Sequence, residues 1–303
     1  MMTNMFSDHF LAPHIQANVS ASLLEDMRQL SRRRHGEKAA EYQSLDYTAQ
    51  LIPKDKHASA TVITRQDAVL CGKPWFDACF KMLDMDCTLT WHATEGEAIK
   101  AGQTLCEIQG KARALLTAER SALNFLQTLS ATATATRKYV DLIAGTQAKI
   151  YDTRKTLPGL RIAQKYAVKT GGGENQRLAL FDGVLIKENH IMAAGGIRQA
   201  LTEARRITPS SLSIQIEVES LDELREALDA DAKLILLDNF SLEMMREAVK
   251  LSEGRAELEA SGGVNLDTVR AIAETGVDRI SIGALTKDIQ AIDLSMRFKL
   301  TEV

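Results

Sequence analysis

The sequence predicts an α/β protein. An N-terminal α+β sandwich domain (residues 1–116) precedes an incomplete parallel (β/α) barrel (residues 117–287), and the tail 288–303 returns to the first domain. Three observations carry this reading. From residue 148 onward strand-like and helix-like segments alternate, the pattern of parallel strands joined by crossover helices. The later strands close on Glu217, Asp238, Ser261 and Ser281, a polar residue every 20 to 23 positions. Residues 46–112 instead hold several short strands around one helix. About six good strands are present rather than eight, so the barrel is incomplete; an open doubly wound sheet is the alternative.

Composition sets the outer limits. The 303 residues suffice for one large or two ordinary domains, and 45% hydrophobic with 25% charged residues is ordinary for a globular chain. The net charge of -3 and pI near 6.1 leave no general basic field for nucleic acid. No basic leader followed by an apolar run is visible, and no apolar stretch reaches the roughly 20 residues that span a bilayer. The expected location is the cytoplasm, with no membrane and no nucleic-acid partner. Cys71, Cys79, Cys87 and Cys106 form no C-x-x-C pair and read as buried, reduced thiols rather than zinc ligands.

Within residues 1–45, Leu23, Leu24, Met27 and Leu30 give the spacing of one buried helix face, and Arg32 to Arg34 with Lys38 make a solvated basic stretch. Residues 58–65, 70–72, 88–91 and 104–108 read as strands, Lys73-Pro74 opens a helix to about Leu83, and Glu95 to Gln103 is a loop with two glycine breaks. Residues 113–144 form one long helix with an apolar face of Leu115, Leu116, Ala122, Leu123, Leu126, Leu129 and Ala133, closed by Gly145. Arg120 sits near the start of that helix, where the dipole does not favour a cation. The barrel strands are expected at 148–152, 183–187, 213–218, 233–238, 256–261 and 278–282. The helices are expected at 158–169, 197–207, 221–229, 241–251 and 265–275.

Barrels carry their chemistry at the C-terminal ends of the strands. Those ends gather Asp152, Arg154, Lys155, Lys187, Glu217 and Asp238, with Arg177 following a triple glycine. Charged residues at strand ends are common on any surface. Four cations in one cluster on an acidic chain point further, to an anionic small molecule. Ser261-Gly262-Gly263 and Ser281-Ile282-Gly283 lie between strand and helix, where small residues and free backbone N–H groups suit phosphate; tight turns alone would also use these glycines. Glu217 and Asp238 could act as general acid and base, hold Mg²⁺ beside a phosphate, stabilise developing positive charge, or simply pair with the lysines. Lys187 or Lys155 could also serve a Schiff-base lyase.

Several phrases carry a resemblance. They are A-E-R-S-A-L-N-F-L-Q (118–127), D-T-R-K-T-L-P-G-L-R (152–161), K-Y-A-V (165–168), G-G-G-x-N (171–175), L-I-K-E-N-H-I (185–191), E-V-E (217–219), L-L-D-N-F (236–240), S-G-G-V (261–264), G-A-L-T (283–286) and D-L-S-M-R-F (293–298). Together they make the chain resemble the quinolinate phosphoribosyltransferase family from about residue 46 to the end. The resemblance implies transfer of the phosphoribosyl group from phosphoribosyl pyrophosphate to quinolinate with loss of CO₂, giving nicotinate mononucleotide and pyrophosphate for NAD synthesis. It implies Mg²⁺ with the phosphoribosyl pyrophosphate, no organic cofactor, and a homodimer. By the same resemblance Arg120 (from the partner subunit), Arg154, Arg177 and Lys187 would meet the quinolinate carboxylates, with Thr153 and Gln176 among the substrate-binding residues. Lys155 would meet phosphoribosyl pyrophosphate, Glu217 and Asp238 the ribose hydroxyls or Mg²⁺, and Ser261, Gly262, Ser281 and Gly283 the 5′-phosphate. Lys155, Lys187, Glu217 and Asp238 form the expected catalytic set. A phosphosugar-binding barrel without turnover is the non-enzyme alternative; Lys187 in L-I-K-E-N-H argues against a related transport-associated group that shares the fold.

Two departures stand out. The family usually has N-H-R where this chain has Asn175-Gln176-Arg177, so Gln176 can donate a hydrogen bond but carries no charge. Weaker quinolinate affinity or a flatter pH profile is the expected consequence. Leu45-Asp46-Tyr47-Thr48 replaces the usual G-D-x-T and follows a longer basic segment.

Overall fold

The computed structural model describes residues 6–27 and 45–300. Leu30 and the basic stretch from Arg32 to Lys38 lie outside them. The chain divides into two compact units: residues 1–134, 158–171 and 289–303 form the first, and 135–157 with 172–288 the second.

In the first unit, helix α1 (Asp8–Met27) buries Leu11, Val19, Leu23 and Met27, while Leu24 is only half-buried. Strands β1 (His57–Thr64) and β2 (Ala68–Val69) precede helix α2 (Lys73–Leu83), which has Pro74 in its first turn, where a missing N–H costs nothing. Then come β3 (Thr88–Trp91), β4 (Ala98–Ile99), β5 (Thr104–Lys111) and the long helix α3 (Ala112–Leu142). Two expectations shift here. Leu70 to Gly72 is not a strand; the pairing falls at Ala68–Val69 with Ala98–Ile99, inside the segment expected to be a loop. β1 alternates buried and exposed along its length, and its even positions pack as Ala58, Ala60, Val62 and Thr64.

The expected domain boundary at 116/117 is displaced to 134/135, because Ala118, Ala122, Leu126 and Leu129 of α3 all pack into the first unit's core with Trp75, Phe76 and Phe80. All four cysteines are free and buried there. Burial holds the Cys106 thiol protonated, pushing its pKa up to about 12.

The second unit continues with β6 (Lys149–Tyr151). Helix α4 (Arg161–Thr170) returns to the first unit. β7 (Val184–Ile186), α5 (Glu188–Ala194), α6 (Ile197–Ile207), β8 (Ile214–Val218), α7 (Leu221–Asp229), β9 (Leu234–Asp238), α8 (Leu242–Ser252), β10 (Glu257–Ser261), α9 (Val269–Ala273), β11 (Arg279–Ser281) and α10 (Ala284–Lys287) follow. Ser220 and Ser241 cap α7 and α8 by accepting from the N–H three residues on. Two short helices, α5 and α10, were not anticipated, and α9 is shorter than the 265–275 expected.

The six parallel strands run in the order β6-β11-β10-β9-β8-β7. From β7 to β11 each crossover steps in the same direction, which winds a barrel; a doubly wound sheet would reverse. The strands β6 and β7 at the two ends leave a seam. Residue Glu174 lies along the free edge of β6: its N–H donates to the Ile150 carbonyl at 2.7 Å, and the Asp152 N–H donates to its carbonyl at 3.1 Å.

Alternation sorts the strands. Ile216, Val218, Ile235, Leu237, Leu258, Ala260 and Ile280 are buried on one face, each such aliphatic burial stabilising by about 1.5–3 kcal/mol. Gln215, Glu217, Asp238, Glu259, Ser261 and Ser281 share the other. The last strand, β12 (Leu294–Leu300), pairs antiparallel with β1, so the first unit's sheet runs β12-β1-β5-β3.

Candidate active site

Lys187 follows β7 and starts α5. Its backbone is held from both sides: its N–H donates to His190 Nδ1 at 3.0 Å, and its carbonyl accepts from the N–H groups of His190 and Ile191 at 2.8 and 3.0 Å. The side chain then crosses to the neighbouring strand, where Nζ donates to both carboxylate oxygens of Glu217 at 2.8 and 3.1 Å. The Glu217 side chain is 9% exposed and that of Lys187 46%, so the cation faces the solvent side of the pair. β8 ends at Val218, which turns Glu219 out to solvent although it lies two residues beyond Glu217.

On the seam side, Asp152 is fully buried and accepts from Asn175 Nδ2 at 2.7 Å and from the Gln176 N–H at 2.8 Å. These bonds fasten Asn175-Gln176-Arg177 beside Thr153-Arg154-Lys155. Arg177 Nη1 donates to the Gly183 carbonyl at 2.8 Å. Burial, and then the neighbouring Arg154, push the Arg177 guanidinium below its ordinary pKa. Two like charges held this close favour a bound anion.

The Lys155 N–H donates to Thr153 Oγ1 at 3.0 Å, and its carbonyl accepts from Thr286 Oγ1 at 2.8 Å. Its stem passes Gly283, where a Cβ would sit 3.2 Å from Lys155 Cδ and 3.7 Å from Thr153 Oγ1. The glycine therefore gives Lys155 room beside the Ser281 loop. At the end of β9, Asp238 accepts from Asn239 Nδ2 at 2.8 Å, and the Asn239 N–H, at φ 55°, donates to the Ser261 carbonyl at 3.0 Å. The Ser261 loop and Asp238 are thus joined through Asn239.

Beneath these groups lies Glu259, fully buried at the centre of β10. Its Oε2 accepts from Gln215 Nε2 at 2.9 Å and from Gln176 Nε2. Burial raises its pKa, opposed most by the Gln215 bond and then by the Ser281 hydroxyl. The carboxyl therefore binds a proton more readily in the folded chain than in the unfolded one, so stability is lost as pH rises from its ordinary value of 4.5 through the higher folded pKa. Glu259→Gln removes that loss. The melting temperature of the variant relative to wild type is expected to climb as pH rises above the ordinary glutamate value of 4.5; a difference independent of pH would refute the account.

Of the residues expected from the sequence, the second unit brings together Lys187 with Glu217, Arg154 with Arg177, Thr153 and Lys155 with Gly283, and Asp238 with the Ser261-Gly262 loop. Arg120 belongs to the first unit, exposed on α3. Gln176 directs its amide N–H at Glu259. Gln215, Glu259, Asn239 and His190 were not anticipated. For two of them a signal existed: Gln215 and Glu259 stand two residues before Glu217 and Ser261, hence on the same strand face.

A cationic rim over buried acids, at the C-terminal ends of a six-stranded parallel (β/α) barrel, defines a barrel built to receive anionic, phosphate-bearing molecules. Residues 46–130 match the quinolinate phosphoribosyl transferase N-terminal domain and residues 132–297 its C-terminal domain. The chain belongs to the quinolinate phosphoribosyltransferase family. It is 40% identical over 261 residues to the nicotinate-nucleotide pyrophosphorylase [carboxylating] of Mycobacterium leprae, covering 83% of this chain and 90% of that one. The chloroplastic enzyme of the same name from Oryza sativa subsp. japonica is 40% identical over 264 residues, covering 81% of this chain and 71% of the relative. Among solved structures, the nicotinate-nucleotide pyrophosphorylase from Francisella tularensis superposes with a TM-score of 0.87 at 43% identity, covering 95% of this chain and 96% of that one. No helix among the described residues is long and apolar enough to cross a membrane.

Proposed function

We propose that this chain transfers the phosphoribosyl group of phosphoribosyl pyrophosphate to the ring nitrogen of quinolinate and releases CO₂, yielding nicotinate mononucleotide and pyrophosphate. The observation that carries the reading is the close pair of like charges, Arg154 and Arg177, in the same barrel as the Lys187–Glu217 ion pair. A dianionic ring needs several cations to enter, and the guanidinium fork fixes a carboxylate in orientation. Thr153, Arg154, Arg177 and Lys187 form the quinolinate side, while Gln176 turns its carboxamide to Glu259 beneath them. Lys155, Ser261, Gly262, Ser281 and Gly283 form the phosphate side.

The bond from ribose C1 to the pyrophosphate oxygen breaks as the ring nitrogen attacks, and positive charge builds on the ribose. Glu217 and Asp238 offset that charge while Lys155 meets the departing phosphates. The ring nitrogen, now cationic, stabilises the electron pair left in the ring plane on carbon 2 when CO₂ departs, and that pair takes up a proton to form the new C–H bond.

Among the described residues no group of three or more His, Cys, Asp or Glu could hold a metal alone. Two carboxylates do fit Mg²⁺, which binds through one or two acids plus substrate phosphates. Glu217 and Asp238 would hold it, and it would neutralise charge on the pyrophosphate. The reading also places the chain in the cytoplasm as a homodimer, Arg120 of the partner subunit completing the quinolinate side. The exposure of Arg120 on α3 supports that role.

The test is turnover with quinolinate, phosphoribosyl pyrophosphate and Mg²⁺, following nicotinate mononucleotide and CO₂. Arg154→Ala is expected to raise the quinolinate KM at least about tenfold, the usual cost of a lost charge-assisted contact. Wild-type protein that binds both substrates and releases neither product would refute the reaction.

A further inference from the structure

Glu259 bonds two carboxamides from separate segments of the second unit. Its carboxyl accepts from Gln176, the residue before Arg177, and from Gln215, two residues below Glu217 on the same face of β8. It stands two residues below Ser261 on β10, and the Ser281 hydroxyl lies close enough to favour its ionised form. β9 separates β10 from β8 in the sheet, so the Gln215 bond crosses the barrel interior instead of following the ladder. One fully buried side chain thus joins Gln176 of the quinolinate loop to Gln215 of the Lys187–Glu217 strand, on the strand that leads into the Ser261 loop.

We propose that Glu259 is the positioning residue of the reaction: a buried floor that holds Gln176, and through it Arg177, in register with the two phosphate-binding loops. The inference rests on the proposed reaction. Glu259 reaches no solvent and so does not touch substrate. Its contribution is geometric, through the loop at the barrel seam. The backbone of that loop bonds to β6, Asp152 holds Asn175 and the Gln176 N–H, and Arg177 reaches the Gly183 carbonyl. The Gln176 side chain adds an attachment deep in the barrel. Both carboxamides converge on the same oxygen, Oε2. A glutamine at 259 can therefore keep both bonds through its carbonyl oxygen, whereas a methionine cannot keep either and an aspartate withdraws the acceptor by one methylene.

The decisive experiment is a double-mutant cycle on the full-length protein: Q176A, E259M, E259D, E259Q and the two doubles with Q176A. KM and kcat are measured for each substrate, with the melting temperature recorded for every variant. E259M is expected to raise the quinolinate KM about tenfold with a smaller change in kcat, the scale of a hydrogen bond to a charged group. Q176A added to E259M should change that KM by less than about twofold, because the shared contact is already gone. E259Q should restore KM to within about threefold of wild type, given that its oxygen remains. Effects of Q176A and E259M that multiply, or a folded E259M with wild-type KM, overturn the proposal. If E259M does not fold, the same cycle with E259D decides. Absence of wild-type turnover would instead strike the proposed reaction, and the cycle read in melting temperatures would still report the Gln176–Glu259 contact: additive shifts would overturn it.

Discussion

Replacing Lys187 with alanine is expected to lower kcat/KM by two to three orders of magnitude, the usual cost of removing a preorganised electrostatic contact from a reacting centre. The geometry explains the size. Lys187 Nζ donates to both oxygens of Glu217, at 2.8 and 3.1 Å, and the Glu217 side chain is 9% exposed. Without the ammonium the carboxylate is left in a poorly solvated position with no cation opposite it, which is far more costly than loss of a surface pair. The quinolinate side loses a positive charge at the same time, and the acid meant to face the ribose gains an unbalanced negative one. Arginine at 187 keeps the charge but places a planar fork where a point charge sat, so it should recover only part of the rate. Lys187→Ala within tenfold of wild type in kcat/KM would remove Lys187 from the catalytic set.

The second large effect is expected from Gly262→Ala. Gly262 has φ +99°, and an added Cβ would lie 2.1 Å from Asn239 Oδ1, 2.8 Å from its Cγ and 3.2 Å from its backbone nitrogen. The carboxamide can swing away, but the backbone nitrogen cannot, because it donates to the Ser261 carbonyl. The left-handed conformation adds roughly 1–2 kcal/mol for any residue with a Cβ. The expected outcome is a fall of a few degrees in melting temperature and a rise of at least about tenfold in the KM for phosphoribosyl pyrophosphate. The quinolinate KM should change less, since Arg154 and Arg177 lie at the seam. An unchanged phosphoribosyl pyrophosphate KM would take the Ser261 loop out of the phosphate site.

Wherever a local rule governs the chain, the sequence was enough. Alternation of short apolar runs with amphipathic segments is a property of the residues themselves, and it located the strands β6 to β11 to within about a residue at each end. Polar residues at the strand ends followed, because a strand leaving a barrel meets solvent. Elements without such a rule escaped. Helix α5 begins directly at the end of β7, without a loop, so its apolar positions merged with the strand before it. The pairing of Ala68–Val69 with Ala98–Ile99 is two residues long, too short for any period to show.

Long-range pairing decided the rest. Asp152 and Gln176 are 24 residues apart, and Gln176 and Glu259 are 83. They meet because the sheet closes through β6-β11 and leaves Glu174 to run along the free edge of β6. In sequence Glu259 is one acid among 40 Asp and Glu residues. Its burial, its raised pKa and its two carboxamide partners arise only when four segments fold around it. By itself the sequence determined the layers, the strand ends and the family, since these depend on neighbours along the chain. The tertiary structure decided what each charge faces, because partners in a curved sheet are chosen by register across strands and by what meets across its interior.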